Sequence, residues 1–298
     1  MKIKGLKYLL IFIFSSLLIS SCSNADSNND NEIDDSTEQN ESNENNNQSD
    51  NNENEPALSD DYEFIPPSPL QIASIFKKAG LDYVQGLPNS VDNADNYNSK
   101  FQQSLNFGVY SSDLAYCVEN EKYDEASQYL KVIRKLGGKI GLETVFQNED
   151  IISRFEENIG KYDSIVDLLI YVQENTDSYI EDNGMNDLSV IYFTGAWVEG
   201  MYLGAKTLND ENNNLGILLS EQMTIAEILI GGIKHIKEKS DDINGLQEYI
   251  TDIVDTYDNL ESIKEYGDEI DYIDVELTDE EVQLISNKII ELRENLIH

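Results

Sequence analysis

The chain has 298 residues, with 58 acidic against 20 basic side chains, a formal net charge of −38 and a pI near 4.1. So acidic a surface repels phosphate backbones and anionic headgroups, which sets nucleic-acid binding aside. With only two cysteines, Cys22 and Cys117, no disulfide framework can hold the fold.

Lys2, Lys4 and Lys7 precede an apolar run from Tyr8 to Ile19, and the small residues Ser20 and Ser21 then lead to Cys22. This is the layout of a secretory signal, and the apolar run is too short to span a bilayer as a stable helix. The segment Ile19-Ser20-Ser21-Cys22 resembles the lipobox of bacterial lipoproteins. The resemblance implies that residues 1–21 are a signal peptide and that Cys22 becomes the mature N-terminus, carrying diacylglycerol on sulfur. Several acyl chains, palmitate among them, anchor durably where one binds only marginally. Lipidation of Cys22 would leave Cys117 without an intramolecular partner. The surrounding Ala115-Tyr116-Cys117-Val118 reads as helix, where a lone cysteine is usually a small buried hydrophobe.

From Ser23 to Asp61 there are 13 acids, 12 Asn and no Lys or Arg. Such a segment cannot bury enough apolar surface to offset its ordering entropy, so residues 22–61 are expected to be a disordered tether. Its like charges extend it as a spacer between membrane and domain. An acidic patch after a lipidated cysteine resembles the surface-export signal of Bacteroidota lipoproteins, although Asp26 and Asp30 fall late and are diluted by Asn. The expected location is the cell envelope, on the outer membrane's periplasmic or surface face. Residues 62–298 keep 17 bases against 45 acids, a net charge of −28.

Those residues suffice for one helical domain. Ser68 reads as an N-cap with Pro69 at the first helical position, opening a helix that Gly80 stops. Residues 81–98 read as loop. Helical spacing then predicts segments at 101–119, 123–136, 149–158, 163–180, 187–208, 215–239 and 246–266. A capping box, Thr278 with Glu281, opens a last helix bearing Val282, Ile285, Ile289 and Leu292. The fold class is therefore all-α, an antiparallel bundle or set of hairpins with about eight or nine helices. Residues 272–277 are the one candidate strand. Lys122-Tyr123-Asp124 recurs as Lys161-Tyr162-Asp163, and residues 121–126 look like the inter-helix turn of a tetratricopeptide unit. The spacing of this single echo does not match that repeat's period of about 34 residues, so hairpins are expected rather than a repeat array.

The densest candidate stretch is residues 194–204, where Ala196, Gly200 and Gly204 fall four apart and clear one helix face. Each helical Gly costs about 1 kcal/mol against Ala, so such a stripe implies close packing or a groove. Glu199 is a carboxylate within that apolar stretch and, if buried, requires a cation; Arg154 is the expected partner. Asp210, Asn212, Asn214 and Glu221 match positions 1, 3, 5 and 12 of a calcium loop, but Leu215 stands where the sharp turn needs Gly. His235 and Glu238 superficially resemble the HxxE motif of imelysin-type secreted proteins, without its Gly spacing and too late in the chain. Nucleophile elbows, phosphate loops, dinucleotide fingerprints and zinc cysteine pairs do not occur, and no cofactor is expected.

Residues 105–114 and 195–202 resemble stretches of uncharacterised all-helical lipoproteins of Bacteroidota. That resemblance transfers no activity. It implies that Asp113, Arg154, Asn158, Asp163, Trp197 and Glu199 form a shared polar cluster inside the helices. The expected function is envelope binding or scaffolding by a tethered, non-enzymatic domain, with an unidentified envelope protein or small ligand as partner. The alternatives are a small-ligand or cation-binding protein with an interhelical pocket, and a hydrolase without a recognisable motif.

Overall fold

The computed structural model describes residues 66–80, 82–147, 150–207, 215–266 and 275–297, and the account of structure below is confined to them. They form eleven α-helices and one 3-10 turn, with no strand among the described residues. Of the candidate strand, residues 275–277 take no regular structure and 272–274 lie outside the described residues.

Helix α7 (Asn186–Lys206) lies at the centre: every residue from Val190 to Ala205 is buried. A helix apolar on all sides has to be enclosed by others. Its main partner is α2 (Lys100–Glu119), itself buried along most of its length. Around this pair pack α1 (Pro69–Lys78), α3 (Tyr123–Ile140), α6 (Tyr162–Asp182), α8 (Leu215–His235) and α11 (Asp279–Ile297). Helix α9 (Asp241–Asp258) backs α8 and α11, with α10 (Glu261–Tyr266) beside it. The short α4 (Glu143–Gln147) and α5 (Ile151–Glu157) close α3 against α6.

Local chemistry sets many of the boundaries. Ser68 and Ser99 each cap a helix in a reciprocal box with a glutamine three residues on. Thr278 does the same with Glu281. Lys122 and Lys161, which begin the echoed tripeptides, stand just before α3 and α6. Two departures from the sequence expectation have clear causes. The predicted helix over 123–136 continues to Ile140, because Gly137 receives the Phe146 ring on its bare face and the chain turns only at Gly141, with φ 99°. The predicted helix over 246–266 starts earlier, at the Ser240 cap, and breaks at Asn259 into α9 and α10.

Two glycines fix the distance between the central helices. A Cβ on Gly108 would overlap the Tyr192 carbonyl oxygen, and one on Gly195 would overlap the Leu105 carbonyl oxygen. The backbones of α2 and α7 thus touch directly. Further along α7, the bare faces of Gly200 and Gly204 receive Ile72 and Phe76 of α1, whose atoms would lie 2.8 Å and 2.6 Å from an added Cβ. The stripe over 196–204 therefore seats α1, while its neighbour Gly195 seats α2.

Helix α8 is long and apolar enough to cross a membrane, with a mean hydropathy of 1.4 over residues 216–235. Packing against α7, α9 and α11 accounts for that apolarity, with Leu219, Ala226, Leu229 and Ile233 fully enclosed.

Adding one methyl group at either close approach forces the helices apart, so Gly108→Ala and Gly195→Ala should each destabilise by about 3 kcal/mol or more. Gly245, inside α9 with nothing near its Cβ position, provides the contrast. Gly245→Ala should stabilise by about 0.5–1 kcal/mol. Urea unfolding of the three variants checks both signs.

Candidate functional site

Asp113 of α2, Glu199 of α7 and Arg293 of α11 meet in the interior. Glu199 is completely buried, within the apolar run of α7. Arg293 donates from Nε to Glu199 Oε2 at 2.9 Å and from Nη2 to Oε1 at 3.1 Å. This is a two-pronged ion pair. The Arg293 guanidinium also lies over the Tyr202 ring, 4.2 Å from its centre, so α7 supplies both the carboxylate and the aromatic face. Burial alone would lower the Arg293 pKa, but the charge and hydrogen bonds of Glu199 more than offset that and hold the guanidinium charged.

Asp113 completes the group. Its Oδ2 accepts the backbone N–H of Asn89 at 3.2 Å, and its Oδ1 receives no donor. Complete burial pushes the carboxyl well above its usual range, the Glu199 charge adds to the rise, and Arg293 pulls back only in part. Two buried carboxylates facing one cation leave an excess negative charge in a medium that penalises it. The raised pKa favours the protonated form of Asp113, in which that excess is relieved.

Asp113 also belongs to a row on α2 that pins the loop over residues 82–98. The Tyr110 hydroxyl donates to the Ser90 carbonyl at 2.7 Å, and the Tyr116 hydroxyl accepts from the Val84 N–H at 2.8 Å. Residues 110, 113 and 116 repeat every third position, so one α2 face is committed to loop backbone. Asn89 ties the loop further by donating to the Tyr97 hydroxyl at 2.9 Å.

The expected six-residue cluster does not form as a unit. Asp113 and Glu199 come together as expected, but the partner of Glu199 is Arg293 and not Arg154. Arg154 is exposed on α5 and stacks on the Tyr171 ring at 5.1 Å. Asn158 caps the end of α5 and donates to the Arg154 carbonyl at 2.7 Å, while Asp163 is exposed in the first turn of α6. Trp197 is buried with no acceptor for its indole N–H. Two residues from Glu199 is about 200° around a helix, so its ring faces another side. The missed residue had a signal: Arg293 continues the four-residue spacing of Ile285 and Ile289, a base placed on an apolar stripe.

Of the calcium-loop positions, Asp210, Asn212 and Asn214 lie outside the described residues, and Glu221 is a half-buried residue of α8. Among the described residues no group of three His, Cys, Asp or Glu side chains could hold a metal ion. His235 ends α8, its ring Nδ1 2.8 Å from the Gly231 carbonyl. Cys117 is buried, and burial with the nearby Asp113 charge pushes its thiol well up, away from the reactive thiolate.

Two hollows are lined by neither Asp113 nor Glu199. One, of about 10 Å³, sits where α1 crosses Gly200, Gly204 and Ser112, room for about one water. The other, of about 370 Å³, is a broad surface depression beside Lys131, Arg134, Lys135 and Glu143. Lys131 and Lys135 there are already paired with Glu156 and Asp95. Compared with known proteins, the chain matches no family model, no curated protein and no solved structure.

Removing the charge of Glu199 while keeping its shape takes the charged acceptor from both Arg293 bonds and leaves the largely buried guanidinium only the charge interaction with Asp113, so Glu199→Gln should lose about 3 kcal/mol in urea unfolding. Asp113 predicts a pH dependence. The folded state keeps a proton that the unfolded chain releases in the ordinary carboxylate range, so this contribution is complete below that range. It falls as pH rises toward the folded-state value, by at most about 1.4 kcal/mol per pH unit. Burial also raises Asp177, Glu221, Glu227 and Asp258. Asp113→Asn, which carries a permanent donor, should therefore reduce the decline without abolishing it.

Proposed function

We propose that the chain is an envelope lipoprotein in which Cys22 carries the acyl anchor, residues 23–61 act as an anionic spacer and the helical domain binds or scaffolds a partner at the membrane surface. The observation that carries this reading is the order at the N-terminus: three lysines, an apolar run, two serines, a cysteine, and then 13 acids with no base before residue 62. An acyl anchor next to so acidic a segment suits a domain that has to stay attached to a membrane without adhering to its anionic surface.

Two features of the domain support a binding or scaffolding role. The buried carboxylates are committed to holding helices: both oxygens of Glu199 are bonded to Arg293, and Asp113 holds the loop at Asn89. General acid–base work requires a carboxyl that can reach a substrate proton, and neither the hollow beside α1 nor the depression beside Lys131 is lined by these groups. Among the described residues seven large apolar side chains have marked exposure, and four of them (Ile159, Tyr162, Ile170 and Tyr171) lie within residues 159–171. Exposed apolar side chains of this stretch are proposed as contacts for a protein partner.

The anchor is tested by metabolic labelling with an alkyne fatty acid, followed by membrane fractionation. The wild-type chain should take up label and sediment with membranes, whereas Cys22→Ser should lose the label and keep an uncleaved signal. A Cys22→Ser chain that still carries the label would overturn this reading.

A further inference from the structure

The surroundings of Arg293 have the form of a receptor. Glu199 meets the guanidinium edge-on through two parallel bonds of 2.9 Å and 3.1 Å, and Tyr202 covers its flat face at 4.2 Å. Asp113 of α2 is fully buried and tied to the Asn89 N–H. A forked donor with a stacking face fits this arrangement. An ammonium ion, a compact point charge, could neutralise Glu199 but could not make both parallel bonds and stack at once. Both receptor groups come from α7, and the occupant comes from α11.

We propose that Glu199 and Tyr202 form a guanidinium-selective site, and that Arg293 fills it as an intramolecular ligand. The site takes a guanidinium group from solution when Arg293 is withheld. This extends the cation-binding possibility to a defined chemical class, and it does not depend on the membrane anchor. In the intact chain, access is controlled by α11, whose Ile285, Ile289 and Leu292 are buried in the same interface. A guanidinium ligand would therefore compete with the C-terminal helix.

The test uses the full chain carrying Arg293→Gly, with thermal unfolding followed in millimolar methylguanidinium chloride or methylammonium chloride at matched ionic strength. Methylguanidinium should raise the variant's Tm saturably, by roughly 3 °C or more. Methylammonium should leave it unchanged, and neither salt should move the wild type. The rise should vanish in the Glu199→Gln, Arg293→Gly double variant. Equal responses to both cations, a response in the wild type, or no response in the single variant would each overturn the site. If Arg293→Gly does not fold, Arg293→Lys decides: a selective site requires its Tm to fall several degrees despite the conserved charge, and a Tm equal to wild type rejects selectivity.

Discussion

Glu199 is a carboxylate in a helix enclosed on every side, and an unpaired charge there would cost more than most of the packing around it contributes. The chain resolves this with one arginine brought from 94 residues further on, and much of the architecture follows from that need. Helix α11 has to lie against α7 in a single register, because only then do the two donors of Arg293 meet the two oxygens of Glu199 and its plane rest on Tyr202. A hydrophobic face alone would tolerate a slip of one turn; a forked ion pair does not. Burial and the Glu199 charge raise the Asp113 carboxyl, and the same carboxyl fixes the loop at Asn89. One buried group thus links α2, α7, α11 and the loop over 82–98.

The second constraint is steric and acts on the same two helices. Gly108 and Gly195 bring the backbones of α2 and α7 into contact, which is how Asp113 and Glu199 come close enough for the charge of one to raise the other. Gly200 and Gly204 then admit α1 on a neighbouring face. Electrostatics and close packing therefore depend on one another: a wider helix separation would part the carboxylates, and uncompensated charge would push the helices apart.

The all-helical class and most helix positions were legible because they depend on local signals: four-residue apolar spacing, the Ser68 cap and the Thr278–Glu281 box. The small helix α4 was not, since it is too short to show periodicity and exists through packing on α3; nor was the break at Asn259 that parts α10 from α9 within the helix expected over 246–266. Glu199 was legible as an anomaly, a charge in an apolar run. Its partner was not, because no local rule connects residues 199 and 293. Arg154 was the natural expectation in a chain short of bases, yet it lies at the surface on Tyr171. Asp113 was expected from resemblance alone. Its role depends on Gly108, Asn89 and Glu199, which come together only in the folded structure.

The coupling of Glu199 to Arg293 holds α11 on α7, and a double-mutant cycle measures it most directly. Urea unfolding of Glu199→Gln, Arg293→Met and the double variant gives the coupling. A buried pair predicts that each single change costs about 3 kcal/mol, and that the double change costs less than the sum by about 2 kcal/mol or more, because it leaves no orphaned charge. Additive losses within about 0.5 kcal/mol would contradict the account.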